Sequence, residues 1–276
     1  MVVTETFTWH SNSGESIVLN DGLIYDVRFP VIGRLWPEYD FVSDERYLQA
    51  GEKIKLVKVK PRRLSVPMTV YGANASDRQA NLRILEDAFD PLRGIGRLEI
   101  VTVDSLSRNL DCFCDSWDAP EDIDYGSAAG TFFIFPVTFR APYPFWYNAT
   151  PNSQFWDSGT GWDPIDVSYA GNVDSYPVWT ITAATNNLTT LTIINNTTGE
   201  EMHFDPADTG TFMITTQPGS ESIIKYPSTN YAGYLDVVNT TSLFPFERGI
   251  NNIDIDYTGT PTITVTASWY SFYKGI

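Results

Sequence analysis

The chain has 276 residues, 42% hydrophobic and 14% aromatic, enough for two domains with a core each and too aromatic for a disordered polymer. Its net charge of −16, from 34 acidic and 18 basic residues, excludes a sizeable sequence-independent grip on nucleic acid by clustered cations. No apolar run reaches the ~20 residues of a membrane-spanning helix, and the start of the chain lacks the basic-then-apolar pattern of a secretory signal, so neither membrane insertion nor a signal peptide is expected.

The first charged feature in chain order is Ala50–Leu64, AGEKIKLVKVKPRRL. Simple alternation puts Lys53 and Lys55 on one strand face and Lys58, Lys60 and Arg62 on the other. Lysines at such a site mark a charged edge or protruding hairpin that discourages unwanted pairing. Two alternatives stay open: a nucleic-acid patch, and contact with acidic surface on a neighbouring copy of the chain. Lys53, Lys55, Lys58 and Lys60 are accordingly the candidate oligomer-interface residues.

One helix is predicted. Ser76 and Gln79 have the spacing of a capping box. Leu82, Leu85 and Phe89 recur at helical spacing, opposite Asp77, Arg78, Arg83 and Glu86. Asp90-Pro91 ends the helix, because the residue before proline avoids the helical region. Gly96–Val103 and Arg108–Cys114 then flank the turn residues Asp104–Ser107 and predict a hairpin. Cys112 and Cys114 lie in its second strand too far apart to bridge without distorting the backbone, so they read as free thiols. The acidic run Asp115, Asp118, Glu121, Asp122 and Asp124 lacks EF-hand spacing, since the twelfth loop position from Asp122 is Phe133 instead of a bidentate Glu. A solvated loop is the ordinary reading, with a weak cation site as the alternative.

Next, Phe133, Phe135, Val137 and Phe139 point one way along an extended segment, and Phe132, Ile134, Thr138 and Arg140 the other. Pro142 and Pro144 have no backbone N–H to give a sheet ladder, so the strand stops at FRAPYPFWYN, Phe139–Asn148. That join separates two expected domains, 1–145 and 146–276. Up to Phe145 there are 15 basic and 21 acidic residues; beyond it only Lys225, Arg248 and Lys274 stand against 13 acids.

The second half is punctuated by Asn186-Asn187, Thr198-Gly199, Pro218-Gly219 and Thr258-Gly259, the spacing of a β-sandwich or barrel. Ile253, Ile255 and Tyr257 alternate with Asp254 and Asp256. Ile263, Val265, Ala267, Trp269 and Tyr273 share one side of a closing run of twelve residues. Trp146, Trp156, Trp162 and Trp179, set among Asn, Asp and Thr, are either core or a platform on which sugar rings stack. Asn148, Asn187, Asn196 and Asn239 each open an Asn-x-Thr and read as ordinary β loops.

Enzyme signatures are sparse. Gly94-Ile-Gly96 follows a helix and precedes a strand, the wrong order for a dinucleotide loop. A serine-type site would have to use His10 or His203, neither in a recognisable nucleophile context. Nothing singles out a pair of carboxylates for glycoside hydrolysis. No catalytic, metal-binding or cofactor-binding residues are assigned, and no cofactor is expected.

Several segments resemble the distal tail protein (Dit, siphovirus-type tail component) family of long-tailed phages. IVLNDGLIYDV (Ile17–Val27) is similar to its opening strand pair, and PRRLSVPMTVYG (Pro61–Gly72) with the following helix to its basic-then-β stretch. GRLEIVTVDSLSRNLDCFC resembles its next hairpin, and FRAPYPFWYN its inter-domain join. YPVWTITAATNNLTTLTIINNTTGEEMHF, SLFPFERGINNIDI and TASWYSFYKGI resemble strands of its second domain. The resemblance implies a mainly β fold: a β-rich N-terminal domain with one amphipathic helix and a protruding hairpin, and a C-terminal galectin-like β-sandwich. It also implies a virion structural protein whose hexameric ring joins the tail tube protein to the tail-associated fibre or lysin protein and often to other baseplate or receptor-binding parts. The family brings no catalytic residues, and a galectin-like fold is no evidence of sugar binding. The rival reading is a carbohydrate-binding module or adhesin that contacts host glycans through the second-half tryptophans.

Overall fold

The computed structural model describes residues 5–45, 50–117, 132–157, 163–259 and 262–276. They form two compact units: Met1–Ala149 together with Lys274–Ile276, and Thr150–Tyr273.

In the first unit the strands are β1 (Thr6–His10), β2 (Ser16–Val18), β3 (Tyr25–Val27), β4 (Tyr39–Glu45), β5 (Glu52–Val59) and β6 (Arg62–Tyr71). Helix α1 (Ala75–Ala88) follows, then β7 (Gly96–Val101), β8 (Ser107–Trp117), β9 (Phe132–Ala141) and β10 (Trp146–Asn148). An antiparallel sheet runs β2-β1-β7-β8-β9-β6-β3, with β10 added beside β8. The expected alternation sets its register. Leu64 faces Phe139, Val66 faces Val137 and Met68 faces Phe135, all buried. Burying such a side chain contributes roughly 1.5–3 kcal/mol. The hairpin expected around Asp104–Ser107 is β7–β8, with Ser105 in the left-handed region at φ 65°.

The helix is present, and two details differ from expectation. Its N-cap is Asn74, whose side chain accepts from the Asp77 amide at 3.0 Å, so the capping residue precedes Ser76 by two positions. Arg78, expected on the solvent face, is buried with its guanidinium 3.6 Å from the centre of the Phe133 ring. A broad, weakly hydrated guanidinium can lie flat on an aromatic face where an ammonium would not. Leu82, Leu85, Ala88 and Phe89 form the buried stripe. Trp9 fastens the helix end: its indole N–H donates to the Ala88 carbonyl at 2.8 Å, and its ring packs on Phe89 and Phe139 at 5.4 and 5.1 Å.

The second unit contains β11 (Asn152–Asp157), β12 (Ile165–Tyr169), β13 (Val178–Asn195), β14 (Glu200–Phe204), β15 (Asp208–Thr215), β16 (Ser222–Lys225), β17 (Thr229–Asn230), β18 (Gly249–Gly259) and β19 (Thr262–Trp269). The 18-residue β13 belongs to two layers. Its first half pairs with β15 and β19, its second half with β14 and β18, and the register shifts between Ala183 and Leu188. Ile181, Leu191, Ile193, Ile253, Ile255, Ile263 and Val265 all enter one core, which makes this unit an antiparallel β-sandwich. The closing run is shorter than expected: β19 stops at Trp269, and Phe272–Tyr273 form a separate two-residue strand.

Candidate subunit interface

Among the described residues, strands β4 and β5 pair only with each other, as a two-stranded sheet outside the main one. Every residue of β5 is exposed. Phe41, Val42, Ile54, Leu56, Val57 and Val59 are each more than two-fifths exposed. A lone hairpin is marginal in water, and one that leaves apolar side chains uncovered on both faces has the character of a docking element.

The four candidate lysines lie on or beside this hairpin, but their faces differ from simple alternation. Asp40 is opposite Lys58 and Val42 opposite Leu56; the register then shifts, and Asp44 is opposite Lys53. Lys55 is the extra residue at that bulge. One inserted residue reverses the facing of everything after it, so Lys53 and Lys58 share a face with Val42 and Leu56. On the other face, Tyr39 and Phe41 stand opposite Val59 and Val57. Lys55 pairs with Asp44 at 2.5 Å, and Lys60 with Asp40 at 3.7 Å. Among the described residues, Lys53 and Lys58 form no ion pair.

Arg62, expected beside Lys58 and Lys60, is buried instead. Pro61 intervenes and β6 begins, so the face of the hairpin does not continue. The Arg62 guanidinium donates through Nε to the Pro144 carbonyl at 2.7 Å, through Nη1 to the Gly33 carbonyl and through Nη2 to the Lys274 carbonyl. It also lies 5.7 Å from the Trp146 ring. Burial lowers its pKa to about 10, so it stays charged at neutral pH.

Beyond the hairpin, an open concavity of about 800 Å3 in the first unit is lined by Glu15, Ser16, Ile95, Arg97, Asp111 and Tyr143, among others. On its wall the His10 ring lies 2.8 Å from the Ser16 hydroxyl through Nδ1 and 2.9 Å from the Glu99 carboxylate through Nε2. Ser107 donates to the other Glu99 oxygen at 2.6 Å, and this bond, helped by His10, lowers the Glu99 pKa. The order hydroxyl–imidazole–carboxylate suggests a serine relay. Yet Ser16 sits in regular pairing opposite His10, with no sharp turn to present it as a nucleophile. These bonds tie β1 to β2 and β7. His203 has a parallel arrangement with Thr192 and Glu201, at 3.1 and 2.9 Å.

The remaining sequence candidates resolve as follows. Cys112 and Cys114 are free thiols; burial raises both, Cys114 to about 11. Asp115 pairs with Arg63 at 3.6 Å, while Asp118, Glu121, Asp122 and Asp124 lie outside the described residues. No group of three or more His, Cys, Asp or Glu suited to a metal occurs among the described residues. Trp146, Trp156 and Trp179 are core residues, and Trp162 lies outside the described residues. Trp156 and Trp179 pack against each other at 5.8 Å, and their buried indole N–H groups have no hydrogen-bond acceptor among the described residues. They are not the exposed stacking surface that the carbohydrate reading requires. Arg62 and the Glu15–Asp111 cleft carried no sequence signal, because each is assembled from segments far apart in the chain.

The fold is that of a phage tail-tip hub component. The solved structure of the SPP1 Dit protein (gp 19.1), described as a paradigm of the hub adsorption apparatus in phages infecting Gram-positive bacteria, matches 96% of this chain and 98% of its own. The TM-score is 0.71 at 15% identity. Two structures of the phage P2 baseplate in its activated conformation, with Ca and with Sr, match over the same shares with TM-scores of 0.57 and 0.56 at 10% and 11% identity. No protein-family model and no curated protein matches the sequence.

Proposed function

We propose that this chain is a non-enzymatic structural hub of a long-tailed phage tail tip, located in the virion and assembled in the host cytoplasm. In this reading it closes into a hexameric ring that joins the tail tube to the tail-associated fibre or lysin protein and lets DNA pass. The observation that carries the reading is the likeness to the SPP1 Dit structure across both units, in one order and over nearly the full length of each chain. The β4–β5 hairpin, separate from the main sheet and with every residue of β5 exposed, supports it, because a closed ring needs one patch that meets a different patch on the next copy.

The test is the assembly state of the purified chain. Light scattering across a concentration series is expected to give a closed oligomer of six copies, and imaging of the particles a ring with a central channel. A strictly monomeric chain at high concentration overturns the reading.

A further inference from the structure

We propose that the cleft lined by Glu15, Ile95, Asp111 and Tyr143 receives the β4–β5 hairpin of a neighbouring copy, seated by the face that carries Lys53, Leu56 and Lys58. The proposal rests on the hub reading and names both halves of its ring contact.

Three observations converge on this pairing. The first is charge. Lys53 and Lys58 are the hairpin lysines that form no ion pair among the described residues, whereas Lys55 and Lys60 are matched to aspartates of the same hairpin. The cleft offers the carboxylates of Glu15 and Asp111 against the guanidinium of Arg97. Glu15 is largely exposed and its contact to Arg93 is long, at 3.9 Å. Asp111 accepts from the Tyr147 hydroxyl at 2.6 Å, which fixes its carboxylate in place.

The second is the pattern of apolar groups. On the lysine face of the hairpin, Val42 and Leu56 lie opposite each other, with Lys58 and Asp40 to one side and Lys53 and Asp44 to the other; the two aspartates are already paired to Lys60 and Lys55, which leaves an excess of cations on this face. In the cleft, Ile95 and Tyr143 are exposed hydrophobics that line it together with the two carboxylates. An apolar centre with an excess of cations at its ends thus meets an apolar lining with an excess of anions. That arrangement fixes register and speeds encounter as well as adding affinity.

The third is the bulge at Lys55. Without it, Lys53 would point away from Lys58 and only one could enter a cleft. With it, both cations reach the same side. Strands of seven and eight residues extend roughly 25 Å, long enough to bridge to the next subunit.

Charge reversal with rescue tests the pairing, using the full chain. K53E/K58E and E15K are each expected to raise the concentration needed for assembly on the order of tenfold. The combined E15K/K53E/K58E variant is expected to recover most of that loss. Unchanged thermal unfolding of the variants at low concentration separates an interface effect from misfolding. As a second readout, Lys53→Cys with Glu15→Cys in a Cys114→Ser background is expected to give disulfide-linked oligomers on oxidation. Wild-type rings that tolerate both reversals, or that give no cross-link, overturn the hairpin–cleft pairing and leave the hub reading standing. A wild-type chain that never assembles removes both.

Discussion

Arg62 shows how far one residue can act in this molecule. Its guanidinium is almost wholly buried, has three backbone carbonyls as acceptors and lies against Trp146. The carbonyls belong to Gly33, Pro144 and Lys274, so one side chain fastens three segments that are remote in sequence. Arg62→Met preserves volume and strands those acceptors, each worth about 1–3 kcal/mol when left unpaired. The expected loss, read by denaturant unfolding, is about 2–5 kcal/mol. Arg62→Lys should recover less than half of it, because a single ammonium cannot reproduce the planar fork. In the second unit, Asp208 accepts from Lys225, from Tyr231 at 2.8 Å and from the Thr209 amide at 2.7 Å. The Lys225 bond, followed by the other two, lowers its pKa to about 2. A carboxylate depressed in the folded state contributes stability above its unfolded pKa and loses it as pH falls through the folded value. Acid unfolding followed by tryptophan fluorescence should therefore steepen between about pH 4 and pH 2, and Asp208→Asn should flatten that part of the curve.

The helix and the hairpin carry opposite lessons about elements. Helix α1 is held by its cap and its buried stripe, so Asn74→Ala is expected to cost about 1 kcal/mol in thermal unfolding. Ser76→Ala, at the position whose spacing suggests a cap, should change stability by less than half of that; equal losses would place the cap wrongly. Among the described residues, the strands of the β4–β5 hairpin pair with no other strand. Its strand pairing is local and its apolar side chains are uncovered, which leaves its stability to whatever it docks against. The one-residue bulge decides what it can dock, since it gathers Lys53 and Lys58 on one face. An element so exposed in isolation is consistent with a protein completed by copies of itself.

For the whole molecule, charge and symmetry act together. The second half of the sequence holds 13 acids and only three cations, so repetition around the proposed ring multiplies a strongly negative surface. In that proposed ring such a surface would give passing DNA little to bind, since non-specific affinity depends on cations that displace phosphate counterions. Fifteen of the 18 cations lie in the first half, and two of them, Lys53 and Lys58, form no ion pair among the described residues of the hairpin, in the same unit as a cleft that holds Glu15 and Asp111. That distribution favours heterologous contact, head to tail, over a self-matching two-fold dimer.

Sequence alone determined the features that depend on local period and local chemistry. The alternation of Phe135, Val137 and Phe139 fixed β9 and its buried face; Ile253, Ile255, Ile263 and Val265 did the same in the sandwich. The Leu82–Leu85–Phe89 spacing fixed the helix, and the prolines of FRAPYPFWYN ended the strand before them. These signals are readable because a period of two or 3.6 residues is set by backbone geometry whatever the rest of the chain does. Tertiary structure decided whatever depends on residues brought from afar. Arg62 and Arg78 look solvent-exposed in sequence and are buried, because a distant carbonyl set and a distant Phe133 ring receive them. Trp156 and Trp179 look like a sugar platform among polar neighbours and are core, because β13 and β19 bring their partners from elsewhere. The cleft beside His10 has no sequence signature, since Glu15, Ile95, Asp111 and Tyr143 become neighbours only when β1, β7, β8 and the Pro142 segment assemble. Burial and charge pairing are properties of contacts across the fold, and contacts of that range are not encoded in any local pattern.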